Sequence, residues 1–409
     1  MSLEIRPIVS ALLRNRTGAA LVAVQIAITL AVLVNAVFIV EQRIQKIGRP
    51  TGIDVDNIFA ISSDGFTSRF NYDASLREDL AYLRSVPGVI AASPTESIPL
   101  SGSGSSEELL TRPDQRSSDG TLANYFEMDE QGIKTLGVHL AAGRNFRADE
   151  IQPPIRRDNS GSDEGVPPEV IITQDLAQEM FPNQNALGKT VYDALKKPAT
   201  IIGIIDHMHG SWANFGPPGE VAIFPRLPML FGFYYLVRTQ PGQRDAVMRR
   251  VEEHMESSNP NRVIKWVRPL SMFKQHLYES DRNMGIFLTT TTVLLLAVTS
   301  LGIFGLGTFN VSTRTKQIGT RRAIGARRID IIRYFMVENG LITTAGIVAG
   351  CGLALAVGFW LTAHYNLPRL DLYYLVGGVL ALWILGQIAV WQPARRASRV
   401  SPSVATRTV

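Results

Sequence analysis

The sequence predicts an α-helical membrane protein with four transmembrane helices and a large α+β periplasmic domain inserted between spans 1 and 2. Three observations carry this: uncharged apolar runs recur four times, a long stretch of mixed character separates the first two, and basic residues crowd the remaining connections. The 409 residues are 45% apolar and 19% charged. With a mean hydropathy of +0.08, that is too apolar for a disordered chain and too charged for a bare membrane bundle. The single cysteine, Cys351, excludes an internal disulfide framework or a Cys-rich metal site.

Span 1 is Gly18 to Val40, 23 residues without a charge, and about 20 helical residues suffice to cross a hydrocarbon core. Its apolar part is too long for a signal peptide and no small-x-small cleavage site follows. Span 2 is Met284 to Val311, span 3 Gly340 to Ala363 and span 4 Leu372 to Trp391, bounded by Asp371 and by Gln392-Pro393. Orientation follows from the basic residues, which stay on the cytoplasmic side. Residues 1–17 carry Arg6, Arg14 and Arg16, the link at 312–339 is dense in arginine, and the tail at 392–409 adds Arg395, Arg396, Arg399 and Arg407. These segments are expected inside and 364–371 is a short outer loop. Residues 41–283, with 26 Lys and Arg against 32 Asp and Glu, are expected outside. The net charge of +5 therefore reflects topology and attraction to membrane lipids, with no nucleic acid as partner.

Within 41–283, Tyr72 to Ser85 reads as an amphipathic helix presenting Leu76, Leu80 and Leu83 and ending before Pro87-Gly88. Val170–Ile172, Ala199–Ile205, Val221–Phe224, Tyr234–Val237 and Val263–Val267 read as strands. Leu176–Phe181 and Gln243–Ser257 read as helices between them. The stretches Ser101–Ser105 and Pro153–Pro168 look like exposed loops. Leu270 to Arg282 reads as a helix running unbroken into span 2, with Leu270–Thr290 as a rigid lever.

Catalytic chemistry is mostly absent from the sequence. Gly188-Lys189-Thr190 lacks the glycine of a phosphate-binding loop, since position 183 is Asn. No nucleophile elbow, His-Glu-x-x-His helix or reactive cysteine occurs. His207 and His209, beside Asp206, would be the donors of a metal site, but at spacing i, i+2 they read as an ordinary loop. The expectation is no catalytic residue, no metal and no cofactor in this chain.

The link between spans 2 and 3 is more informative. From Arg314 to Arg333, seven basic residues face one acid, Asp330, and alternate with apolar side chains. Ile324, Ile331, Ile332 and Phe335 share one side at helical spacing. Gly319 and Gly325 suggest a short helix between turns, suited to a groove on another protein. In span 3, Gly346, Gly350, Ala354 and Gly358 recur every four residues, a spacing that lets a neighbouring helix approach closely, in this chain or in a second copy. Gln25, Asn35 and Gln387 are expected to face protein.

These residues resemble the permease family of MacB-like and FtsX-like ABC transporters. The family pattern Arg-x-x-Glu-Ile-Gly-x-Arg-Arg-Ala-x-Gly-Ala is similar to Arg314, Gln317, Ile318, Gly319, Arg321, Arg322, Ala323, Gly325 and Ala326, with Gln317 in place of the acid. Leu136-Gly137-Val138 through Gly143-Arg144-Asn145-Phe146, Phe181-Pro182 through Leu187-Gly188-Lys189, and Pro393 to Arg399 with Pro402 match further.

The resemblance implies a permease that couples to a cytoplasmic ABC ATPase through Ile318, Gly319, Arg321, Arg322, Ala323, Ile324, Gly325 and Ala326. It also implies an inner-membrane dimer, with an identical chain or a paralogue, and no transmembrane substrate tunnel. Fused members carry the ATPase before the first span, where 17 residues stand here; the resemblance thus implies a separate ATPase chain that binds ATP and Mg. Export through a periplasmic adaptor and outer-membrane channel is the first expectation. Regulation of a periplasmic enzyme, or lipoprotein extraction, is the alternative.

Overall fold

A computed structural model describes residues 16–67, 70–154, 166–213, 216, 218–228, 234–365 and 368–401. The chain divides into two units, one formed by 1–48 with 281–409 and the other by Arg49–Ser280.

The inserted unit is built on two sheets. The first has strand order β11-β1-β10-β2, where β1 is Ile58–Gly65, β2 Val89–Thr95, β10 Tyr234–Thr239 and β11 Arg262–Pro269, all pairs antiparallel. Alternation along β1 decides what each face meets, because successive side chains leave a strand on opposite sides. Phe59 and Ile61 pack with Leu76, Leu80 and Leu83 of α2 (Tyr72–Ser85) and with Val247, Val251 and Met255 of α5 (Arg244–Ser258). Ile58 and Ala60 turn the other way, onto Phe126, Ile171, Ile205 and Ile223 of the second sheet. Helix α2 begins where the Asn71 side chain accepts from the Ala74 amide, a cap worth about 1 kcal/mol, and stops before Pro87 as the sequence predicts.

The second sheet runs β3-β4-β9-β6-β8-β5, with β7 also on β8. Its strands are β3 Ser105–Leu109, β4 Thr121–Met128, β5 Leu140–Gly143, β6 Glu169–Thr173, β7 Thr190–Tyr192, β8 Pro198–Ile205 and β9 Val221–Pro225. A short helix, α3 (Gly132–Leu136), follows β4. The far face of the sheet, with Val170, Ile172, Ile201 and Phe224, is covered by Leu176, Ala177 and Met180 of α4 (Gln174–Met180). The layers are thus helix, sheet, sheet, helix, an α+β arrangement. Of the expected loop Pro153–Pro168, residues 155–165 lie outside the described residues.

The other unit holds α1 (Arg16–Ile47), α7 (Glu279–Thr313), α8 (Thr315–Ala323), α9 (Arg328–Tyr365) and α10 (Leu372–Ala397). Four of these, α1, α7, α9 and α10, are long and apolar enough to cross a membrane. Helix α1 is the most enclosed, 56% of its apolar window being buried against 17% for α7, so α1 is the helix around which the others gather. Val22, Ile26, Leu30 and Val34 of α1 form a core with Ile342, Ile347, Leu382 and Val390.

Two expectations are corrected. The helix expected to run unbroken from Leu270 into span 2 is interrupted: α6 (Leu270–Leu277) ends at Tyr278, whose φ of −104° and ψ of 9° are not helical. Tyr278 is held by its hydroxyl, 3.0 Å from His209 Nε2, and the anchored side chain fixes the backbone there. Span 4 does not stop at Pro393; α10 continues to Ala397. Proline removes one helical donor, and here its ring seats against Gly307, where an added Cβ would lie 3.3 Å away.

Candidate functional site

Helix α8 is the centre of the expected coupling segment. It is separated from α7 by Arg314, which leaves helical geometry at φ −104°, ψ 10°. Its C-terminus is closed by backbone bonds from Ala326 N to Arg321 O and from Gly325 N to Arg322 O. This crossed pair needs a left-handed residue after the cap, and Gly325 supplies it with φ +104°. Helix α9 then starts with the Asp330 carboxylate accepting from the Arg327 amide at 3.0 Å, returning an acid to an unpaired amide of the first turn.

One side of α8 is fixed. Ile318 is 5% exposed and packs with Ile331 and Phe335 of α9 and with Ala394 and Ala397 of α10; Gly319 beside it is buried. Arg314 reaches Glu338 with Nη1 3.0 Å from both carboxylate oxygens. The Arg321 guanidinium lies 4.8 Å from the centroid of the Tyr334 ring, within cation–π range. Arg322 is half-buried, its Nε enclosed without an acceptor among the described residues.

The opposite side is open. Ala323 and Gly325 are exposed and Ala326 is half-buried. Ile324 is 82% exposed, which corrects the expectation that it shares a face with Ile331, Ile332 and Phe335. It caps α8 at φ −81°, ψ 4° and so falls outside the helical register. The result is an apolar tip flanked by the exposed cations Arg321, Arg327 and Arg328, with Ile329 also exposed beside Arg328.

Gly346, Gly350, Ala354 and Gly358 lie on α9 and meet α1 of the same chain. An added Cβ on Gly346 would lie 2.7 Å from Ala23 O, and one on Gly350 3.0 Å from both Ala27 Cα and Leu30 Cβ. Asn35 Nδ2 donates to Ala31 O at 2.9 Å and across to Ala354 O at 3.2 Å, while Gly358 stands 3.4 Å from Asn35 Oδ1 when given a Cβ. Gln25 and Gln387 are half-buried.

Glu338, which sequence reasoning passed over, is part of the site. The available signal was its position just before the uncharged run at Gly340, where an acid at membrane depth calls for a cationic partner.

In the inserted domain His207 and His209 do not converge. His207 Nδ1 faces Asp175 Oδ2 at 2.8 Å and Nε2 faces Pro50 O at 3.0 Å, so both ring nitrogens are directed at protein oxygens and not at a position shared with His209. His209 is buried, which lowers its pKa; Nδ1 is 3.0 Å from Gly210 O and Nε2 meets Tyr278. No group of three metal-ligating side chains occurs among the described residues. Glu127 is pushed up to about 7 by burial despite Arg226 at 3.5 Å and the Tyr125 hydroxyl donating at 2.8 Å.

Two family patterns match the chain, the MacB-like periplasmic core domain over residues 17–254 and the FtsX-like permease C-terminal over 289–402. The probable syringafactin export ATP-binding/permease protein of Pseudomonas syringae pv. tomato is 25% identical over 95% of this chain and 56% of its own length. The macrolide export ATP-binding/permease protein MacB of Photorhabdus laumondii is 25% identical over 57% of this chain and 37% of its own. The chain thus spans about half or less of the length of these relatives. The crystal structure of the periplasmic region of MacB from Actinobacillus actinomycetemcomitans aligns with 55% of this chain and 94% of that one, at 17% identity and a TM-score of 0.34. With the first pattern covering more than half of its residues, the chain belongs to the MacB-like and FtsX-like permease family of ABC transporters.

Proposed function

We propose that this chain is the permease subunit of an ABC transporter that passes ATP-driven motion from a separate cytoplasmic ATPase, which binds ATP and Mg, to the inserted domain on the far side of the inner membrane. The observation that carries this is the two-sidedness of α8. Ile318 and the Arg314–Glu338 pair fix it to α9 and α10, while Ile324 and the arginines around it are presented outward. A displacement applied at Ile324 is therefore delivered to α9, and Gly346 and Gly350 carry it to α1 by close backbone approach. Stiff, packed elements transmit displacement.

In this reading the termini are cytoplasmic and the working unit pairs two permeases, identical or paralogous. Export of a periplasmic substrate through an adaptor and outer-membrane channel is supported by the export named for both relatives. The test is ATP hydrolysis by the partner with and without the permease in membranes. Arg322→Glu, or Gly325→Pro, which cannot adopt φ +104°, leaves membrane insertion intact and abolishes stimulation of the ATPase. Unchanged stimulation with both variants contradicts the proposal. Co-purification of an adaptor supports export, and co-purification of a hydrolase or lipoprotein chaperone redirects the function to regulation or extraction.

A further inference from the structure

Between one end of α1 and the start of α7 lies a groove of about 350 Å³, lined by Val40, Ile44 and Ile47 on one side and by Gly285, Ile286 and Thr289 on the other. Ile44 and Ile286 are 63% and 58% exposed, and the opening at Gly285 is uncovered among the described residues, an added Cβ meeting nothing within 4 Å. The mouth has the opposite character. Arg43 and Arg282 line it and Lys46 stands beside Arg43. The one acid among these residues is the buried Asp281, which accepts from Arg43 and from Lys46 at 2.9 Å. Arg282 is exposed and has no acidic partner among the described residues. The other nearby acid of α1, Glu41, is turned to the Tyr373 hydroxyl and the Gln45 amide. With Arg43 and Lys46 on Asp281, the exposed Arg282 leaves the mouth positive.

Depth fixes the chemistry. The uncharged run of α7 begins at Met284, so Arg282 stands at headgroup level and Ile286 and Thr289 stand within hydrocarbon. Arginine and lysine at span ends lay their aliphatic stems on apolar surface and hold the charge at the interface. An apolar slot continuous with a cationic mouth fits a molecule with a chain below and an anion above. Symmetric pairing of two copies through this groove would set Arg43, Lys46 and Arg282 against their own kind, which disfavours a second copy as occupant.

We infer that the groove binds an anionic phospholipid, one acyl chain lying along Val40, Ile44 and Ile286 and the phosphate held by Arg43 and Arg282. Asp281 is a positioning residue, keeping Arg43 and Lys46 at the mouth. The inference rests on α1 and α7 crossing the membrane and is independent of the coupling role of α8.

The test uses the full chain in vesicles of phosphatidylcholine and phosphatidylglycerol, with a photoactivatable acyl chain placed on one lipid and then on the other. Cross-links are mapped by mass spectrometry. The phosphatidylglycerol probe is expected to label residues 40–47 and 285–290 about fivefold more than the phosphatidylcholine probe, from the attraction of the exposed Arg282 cation for an anionic headgroup. Gly285→Leu, which fills the slot, removes most of that label. Gly377→Leu, at another open position, leaves it unchanged. Arg282→Gln, on an exposed side chain, reduces the preference severalfold without touching the apolar lining. Equal labelling by the two probes, or labelling indifferent to Gly285→Leu, overturns the inference. So does cross-linking of two copies through Ile44→Cys in place of lipid.

Discussion

Arg314 and Glu338 are locked together at the point where α7 ends: one guanidinium nitrogen lies 3.0 Å from both carboxylate oxygens, and the Glu338 side chain is only 3% exposed. The pair ties the start of α8 to α9, the helix that carries Gly346 and Gly350. Removing one member of such a pair leaves a buried charge without its partner, at about 3–5 kcal/mol, whereas replacing both by apolar residues is often neutral. Glu338→Ala is therefore expected to lower the thermal unfolding temperature of the purified chain, and Arg314→Met with Glu338→Leu to restore most of it. Equal stability of the single variant and the parent contradicts this assignment.

The contact between α9 and α1 is tested by moving bulk along one helix. Gly346→Leu drives a side chain toward Ala23 O and Ile26 and is expected to destabilise by on the order of 1–3 kcal/mol. Gly352→Leu, where an added Cβ meets nothing within 4 Å, leaves the unfolding temperature within error. Equal sensitivity at the two positions would mean that α9 meets its neighbours by a different face.

Glu127 makes the inserted domain sensitive to pH. Its folded-state pKa of about 7 lies above the ordinary 4.5 because burial disfavours the carboxylate. The folded state therefore binds more protons than the unfolded state between these values, and stability falls as pH rises through that window. Glu127→Gln is expected to stabilise at pH 8 by on the order of 1 kcal/mol or more and to be nearly neutral at pH 4.5. Unfolding temperatures measured at both pH values check the sign; an equal effect at each rules out the titration.

Tyr278→Phe removes the hydroxyl that satisfies His209 Nε2 and leaves a buried nitrogen without its partner, costing about 1–3 kcal/mol. The same change frees the backbone at the break between α6 and α7. Faster amide exchange at residues 276–280 is expected, with Gly210 and Ser211 following. Protection that stays at parent level excludes Tyr278 as the pin.

The spans and most of the inserted domain are legible because each reports a single local property. Uninterrupted apolar length marks α1, α7, α9 and α10, and the period of Leu76, Leu80 and Leu83 marks α2. What escaped depends on partners distant in sequence. Nothing local at Tyr278 tells of His209, nothing at Glu338 names Arg314, and Pro393 reads as a stop until Gly307 is placed against it. Ile324 departs from its expected face for another reason. Its spacing to Ile331 assumes one continuous helix, and the left-handed Gly325 interrupts the register between them.

In the proposed function, motion enters at Ile318–Ala326 and leaves through the inserted domain. The most direct measurement places a donor–acceptor pair on the inserted domains of a reconstituted transporter and follows their separation as ATP is added. The separation is expected to change with ATP in the parent and to stay fixed in Arg322→Glu while the partner still binds nucleotide. A parent-sized change in Arg322→Glu would show that the motion takes another route.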